Sequence, residues 1–307
     1  MRWEHVGGLK DVRRELVDFI ELPRKHPSLF RHLPRRVGIL LFGPPGTGKT
    51  LIAKALASEC GMNFLSVKGP ELLDMYVGES ERQVRDVFRA AVDTSPCVLF
   101  FDELDSLAPQ RGRGGDAGGV MDRVVSQFLT EMDGLQQVEV FVVGATNRPD
   151  LLDSALLRPG RFDRSVFLGP PSELEGKVSM IKACLKTTPI LKQNQQLLSR
   201  EDWDHLANQL QYGCTGADIA SAVQEAIKMA LETRIGELKR ELEELNKNDQ
   251  NISMMEYIQS LEDKNQLKSI SIFYENLSEC LQNQRPSVSE QDIKRYLSLK
   301  DKFGNFG

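Results

Sequence analysis

Apolar residues follow two rhythms along this chain. Between residues 37 and 168, short continuous apolar runs at 37–42, 63–67, 97–101, 138–144 and 164–168 alternate with stretches of helical spacing at 49–59, 79–93 and 119–132. Runs of that length, each followed by a helix, predict a doubly wound parallel sheet covered on both faces. After Pro170-Pro171 the strand pattern stops, and 172–186, 201–210, 216–245 and 290–301 read as helices. The chain is therefore expected to divide into an α/β domain over 1–171 and a small all-α domain over 172–307 that includes the C-terminal helix.

Within the helical part, Ile219, Val223, Ile227, Ala230, Leu231, Leu238, Leu242 and Leu245 keep a spacing of three to four residues. The far half of that helix, 237–244, is heavily charged, which predicts a solvated extension and too few heptads for a coiled coil. Ser287-Val288-Ser289-Glu290 matches a capping box and predicts the start of the last helix.

The turn between the first run and its helix carries the strongest chemistry. Residues 43–50 read Gly43-Pro44-Pro45-Gly46-Thr47-Gly48-Lys49-Thr50 and fit the phosphate-binding pattern G-x-x-x-x-G-K-[ST] at every fixed position. Gly43, Gly46 and Gly48 let the backbone curl so that its N–H groups face a triphosphate. Lys49 can reach the β- and γ-phosphates, and the Thr50 hydroxyl can hold Mg²⁺. A buried strand before the loop and a helix from Lys49 through Leu51 onwards supply the context that an anion site needs, which disfavours an ordinary glycine-rich turn.

Three later clusters extend the site. The run at 97–101 ends in Asp102-Glu103, a carboxylate pair at the ligand-binding edge of a parallel sheet. Asp102 suits Mg²⁺, and Glu103 suits deprotonation of an attacking water. Asp105 reads as a surface acid or a contact with a neighbouring subunit. Asn147 follows the next buried run and can hydrogen-bond a water and a γ-phosphate without adding charge. Arg158-Pro159-Gly160-Arg161 is a stiff cationic hook. If Arg158 and Arg161 point away from their own phosphate loop, they must serve a neighbour, which requires heterologous, ring-closing interfaces.

Composition narrows the classes. The chain has 307 residues, 40% hydrophobic and 27% charged, with a net charge of −5. Nothing there points to nucleic acid as a partner. No apolar run approaches the roughly 20 residues that span a bilayer. Cys60, Cys97, Cys184, Cys214 and Cys280 are scattered without a C-x-x-C pair, which predicts reduced thiols in a cytosolic setting and no cysteine metal site. Folded-type sequence begins at once, so further protein is expected upstream of Met1.

Taken together, these blocks resemble the AAA family of ATPases. The resemblance runs from Trp3-Glu4-His5-Val6-Gly7-Gly8-Leu9 to Arg161-Phe162-Asp163 and extends to Thr215-Gly216-Ala217-Asp218. Within the family the chain is similar to the second ATPase domain of two-ring members. Lys68-Gly69-Pro70-Glu71-Leu72-Leu73 and Phe100-Phe101-Asp102-Glu103-Leu104-Asp105-Ser106 look like both valosin-containing protein and the peroxins. The segments at 107–116 and 119–127 look closer to the sixth-peroxin branch, which serves peroxisome biogenesis.

The resemblance implies Mg²⁺-dependent ATP hydrolysis in a hexameric ring, with copies of this chain or a paralogous AAA subunit. It implies that Val6 and Gly7 lie against the adenine, that Pro44, Pro45, Thr47 and Leu51 share in holding the nucleotide, and that Gly216 and Ala217 form a turn of the helical domain closing on it. Asn147 is implied as a γ-phosphate sensor, and Arg158 and Arg161 as arginine fingers. Met75, Tyr76 and Val77 match the loop that grips protein substrate in the central pore. The implied substrate is a ubiquitinated import receptor. The implied location is cytoplasmic and peripheral at the peroxisomal membrane, held by an anchor protein through upstream regions, with no nucleic acid involved. A segregase resembling valosin-containing protein is the alternative within the class. An ATP-binding assembly scaffold with little turnover is the alternative outside it.

Overall fold

Five parallel strands carry the first unit: β1 (Gly38–Phe42), β2 (Asn63–Lys68), β3 (Cys97–Asp102), β4 (Val140–Thr146) and β5 (Phe162–Phe167). They pair in the order β2-β3-β4-β1-β5. The computed structural model describes residues 2–26, 28–29, 37–73, 78–109, 118–135, 138–185, 188–191, 197–246, 252–263 and 271–303. Side chains alternate across the sheet, as a two-residue repeat requires. Leu99 and Phe101 of β3 face one core, and Val98 and Phe100 face the other.

The first core is closed by α3 (Glu79–Asp93) and α5 (Gly118–Gly134), whose Phe88 and Phe128 pack on Phe101. The three rings lie with centroids 4.9–5.7 Å apart. The second core is closed by α1 (Lys10–Lys25) and α2 (Lys49–Glu59) through Leu16, Phe19, Ile52 and Leu56. The sequence pattern did not single out α1, although Leu16, Phe19 and Ile20 make a buried stripe on it. A single turn, α4 (Leu104–Leu107), follows β3.

The chain divides into two units, residues 1–171 with 287–307 and residues 172–286. The second unit contains α6 (Leu174–Cys184), a two-residue strand β6 (Ile190–Leu191), α7 (Arg200–Gln209), α8 (Gly216–Asn246), α9 (Met254–Asp263), β7 (Ile272–Phe273) and α10 (Tyr274–Asn283). Its core gathers Ile181, Leu206, Ile219, Val223, Ala226, Leu277 and Leu281. Leu231 and Leu245, counted on the apolar stripe of α8, face solvent instead. The parallel β6–β7 ladder and the helices α9 and α10 are additions to the sequence-based expectation.

The last helix corrects that expectation. α11 (Glu290–Phe303) belongs to the first unit, not to the helical one. Its Phe303 is buried, with its ring 6.3 Å from that of Phe42 at the end of β1. Its cap also differs. Ser289 takes the N-cap role with Asp292, whose backbone N–H donates to Ser289 Oγ at 3.1 Å while Ser289 Oγ donates back to the carboxylate at 2.6 Å. The box is thus displaced two residues from the Ser287–Glu290 match.

Candidate phosphate-binding site

The loop from β1 to α2 is shaped by its glycines. Gly43, Gly46 and Gly48 have φ of +148°, +77° and +88°. A Cβ at Gly43 would come within 2.0 Å of the Leu168 carbonyl oxygen, so no side chain fits there. Thr47 Oγ1 donates to the Pro44 carbonyl at 2.9 Å and ties the loop across its base. Pro45 and Gly46 are exposed at the tip, and Leu51 is half-buried in the first turn of α2. That turn carries no acidic residue of its own, so the helix itself adds no charge that opposes an anion at its N-terminus.

Lys49 lies at the centre of this loop. It is only 8% exposed. Its ammonium donates to the carbonyls of Gly43 and Pro44 at 2.9 and 2.8 Å. Burial pushes its pKa down to about 8, against the opposing pull of Asp102 and Asp105. A buried cation satisfied only by two loop carbonyls is well placed to exchange them for phosphate oxygens.

The carboxylates come from the C-terminal end of β3. Thr50 Oγ1 donates to Asp102 Oδ2 at 3.0 Å. A hydroxyl and a carboxylate so close offer two hard oxygens, which fits Mg²⁺, an ion that completes its shell with phosphate oxygens and water. Glu103 follows in a left-handed conformation, φ 52°, the non-glycine residue at positive φ among the described residues. Such a conformation costs energy and collects at functional positions. Its backbone is held from both sides. Glu103 N–H donates to Asp102 Oδ1 at 3.0 Å, and its carbonyl accepts from Ser106 Oγ at 2.6 Å. The Glu103 side chain is exposed.

Asp105 is half-buried and engaged within its own unit. Thr146 Oγ1, at the end of β4, donates to Asp105 Oδ1 at 2.6 Å and accepts from Arg148 N–H at 2.8 Å. This bridge joins α4 to the loop that holds Asn147. Asn147 is half-buried, and its Oδ1 is buried without a hydrogen-bond partner. An orphaned acceptor is costly and points to a donor from outside the chain.

The two arginines of the hook part company. Arg158 is exposed, beside Leu152, Leu157, Pro159 and Phe303 on the wall of a cavity of about 760 Å³. Arg161 is engaged within its own unit. Its Nε and Nη2 each donate to Asp133 on α5 at 2.9 Å, and its Nη1 donates to the Ala155 carbonyl at 2.7 Å. The pair holds the Asp133 carboxyl below its ordinary range. A fork already spent on a carboxylate cannot also reach a neighbour without opening, which sets Arg161, anchored on α5, apart from the exposed Arg158.

The remaining expected residues lie on other elements. Val6 packs against the core beneath α2, and Gly7 is buried beside it. The preceding turn Trp3–His5 is pinned by Trp3, whose backbone N–H donates to Glu59 at 3.1 Å. Gly216 and Ala217 form the first turn of α8 in the second unit, where Thr215 N–H donates to Asp218 at 2.7 Å. Met75, Tyr76 and Val77 lie outside the described residues. Among the described residues no helix is long and apolar enough to cross a membrane.

Residues 39–170 match the family described as ATPase family associated with various cellular activities (AAA), and residues 246–304 match the Vps4 C terminal oligomerisation domain. The chain is 47% identical over 305 residues to the Peroxisomal ATPase PEX6 of Kluyveromyces lactis, with 98% of this chain and 30% of that protein covered. It is 48% identical over 302 residues to PEX6 of Rattus norvegicus, covering 98% of this chain and 28% of that protein. PEX6 of Homo sapiens is 47% identical over 302 residues, with the same coverage of 98% and 28%. The chain thus spans less than a third of the length of the curated relatives it matches.

Proposed function

We propose that this chain, which belongs to the AAA family of ATPases, is the ATP-hydrolysing motor domain of a peroxisome-biogenesis protein. The observation that carries the reading is the Thr50–Asp102 contact at 3.0 Å beside the buried Lys49. It brings the start of α2 to the end of β3, which supports a phosphate site built from both. The high identity to PEX6 proteins favours the peroxisomal motor over the segregase and over the scaffold.

In this reading the loop N–H groups and Lys49 bind the β- and γ-phosphates of ATP. Thr50 and Asp102 would hold Mg²⁺, which supplies positive charge to those oxygens. Asn147 offers its Oδ1 to a hydrogen of the attacking water and so aims the lone pair at the γ-phosphorus. Glu103 takes the proton as the water oxygen bonds to phosphorus and the bond to the bridging oxygen of ADP breaks. Val6 and Gly7 border the adenine, and the turn at Gly216 and Ala217 faces the nucleotide.

Arg158 reaches the γ-phosphate of a neighbouring copy or paralogous subunit in a hexamer, and Arg161 holds its loop in place. The match to an oligomerisation domain supports assembly. Met75, Tyr76 and Val77 grip an extended protein chain in the pore. The substrate is a ubiquitinated import receptor. The protein works on the cytoplasmic side of the peroxisomal membrane, bound to a membrane anchor through regions beyond this chain. The test is ATP turnover by the assembled protein, with and without Mg²⁺. Turnover that persists at full rate in excess chelator excludes the metal reading, and turnover that persists in Lys49→Ala excludes the site.

A further inference from the structure

We infer that α11 positions the γ-phosphate sensor, with Tyr296 as the positioning residue for Asn147. This rests on the reading of Asn147 given above. Tyr296 Oη donates to the Asn147 backbone carbonyl at 2.8 Å, across 149 residues of sequence. One turn of the same helix supplies a second tie. Arg295 Nη2 donates to Asp150 Oδ2 at 3.0 Å, and Asp150 also accepts from Arg148 Nε and Nη2 at 3.2 and 3.1 Å. The loop after β4 is thus fastened at one end to α4 through the Thr146–Asp105 hydrogen bond of 2.6 Å and at the other to α11.

The helix is itself anchored to the other half of the site. Phe303 packs on Phe42, the residue before Gly43, and Lys300 lies 5.9 Å from the Phe167 ring centroid on β5. One rigid element therefore touches the strand that feeds the phosphate loop and the loop that presents Asn147. The tie to Asn147 is made to the backbone. It leaves the amide free, with Oδ1 buried and unpartnered. A backbone hold of this kind fixes where the amide sits and contributes nothing to binding the nucleotide. Its loss should slow the chemical step and spare affinity.

The experiment compares Tyr296→Phe, Asn147→Ala and the double variant in the full-length assembled protein, by phosphate release over a range of ATP concentrations. Tyr296→Phe keeps the ring and removes only the hydroxyl. The expected result is a kcat lower by about tenfold, with KM for ATP and thermal midpoint unchanged, and no further loss when it is added to Asn147→Ala. Wild-type turnover by Tyr296→Phe beside a slow Asn147→Ala overturns the positioning role and leaves the sensor intact. Wild-type turnover by Asn147→Ala overturns the sensor reading and this inference with it. A second multiplicative loss in the double variant, or a kcat loss that tracks a fall in thermal midpoint, assigns Tyr296 to packing and overturns the inference.

Discussion

Thr50 and Asp102, 52 residues apart in sequence, share a hydrogen bond of 3.0 Å between the start of α2 and the end of β3. The hydroxyl donates a hydrogen bond to a carboxylate that is its partner in holding a cation under the proposed mechanism. The contact prearranges both oxygens before nucleotide arrives. Replacing either removes this hydrogen bond from the other.

Lys49 and Glu103 should separate binding from chemistry. Lys49→Ala is expected to abolish ATP binding, because the phosphates lose a cation held inside the loop. Glu103→Gln should keep binding and lose hydrolysis, because only the base is removed. Glu103→Gly should also lose hydrolysis, yet raise stability by about 1 kcal/mol by relieving the left-handed backbone. Titration with a fluorescent nucleotide, phosphate release and denaturant unfolding check the three variants. A Glu103→Gln protein that turns over at the wild-type rate removes Glu103 from its role.

The depressed Lys49 predicts a pH signature. In the nucleotide-free protein the folded group loses its proton near pH 8, while the unfolded group holds its own up to about 10.5. Burial of Lys49 therefore costs stability in full below pH 8, and the cost fades between pH 8 and 10.5. ATP binding restores the charge, so above pH 8 it must take up a proton. Calorimetry in buffers of different ionisation heat should show uptake close to zero at about pH 7 and rising towards one at about pH 9. Lys49→Arg should abolish the rise.

Arg158 and Arg161 should behave differently. Arg158→Ala is expected to leave stability and ATP affinity unchanged and to slow turnover about a hundredfold or more in the assembled protein. Arg161→Ala should lower the thermal midpoint, and Asp133→Ala should reproduce it, because each removes one side of the same fork. Mixing Arg158→Ala with Lys49→Ala protein should recover some activity at mixed interfaces. An Asp133→Ala protein with unchanged stability, alongside a destabilised Arg161→Ala, rules out the anchoring role.

Tyr76 is expected to act on protein substrate and not on ATP. A phenol ring offers a broad apolar face with little rotamer entropy to lose, which suits weak grip on many sequences. Tyr76→Ala in the assembled protein should keep most ATPase activity and lose unfolding of a protein substrate. Unfolding at the wild-type rate by that variant sinks the pore role. A parallel fall in ATPase and stability shows that the ring only packs locally.

Much of the nucleotide-binding unit was legible from local pattern. The central strands β1, β3 and β4 read as unbroken apolar stretches because each is buried on both faces. The edge strands β2 and β5 are only partly covered and mix polar residues into shorter runs. The phosphate loop was legible because it is contiguous: Gly43, Gly46, Gly48, Lys49 and Thr50 act through backbone curl and reach within eight residues of chain. Asp102 and Glu103 were legible from their place at a strand end. The stripe Leu16, Phe19 and Ile20 was equally open to reading, and α1 went unread beside its many charges.

Chain pattern by itself determined the strands, the loop and the chemical identity of the groups that meet phosphate, since each depends on neighbours a few residues away. Tertiary packing alone decided which partners those groups take. The spacing of Ile293, Tyr296 and Phe303 says that one face of α11 is covered, but not that β1 and the Asn147 loop cover it. The Arg158–Arg161 hook shows two cations, and only the approach of α5 commits Arg161 to Asp133 and leaves Arg158 free. A hydrophobic stripe or a charge states what a residue needs, and many surfaces can meet the need. The partner is chosen by the whole set of packed elements, because a contact between distant residues forms only where every intervening element already fits.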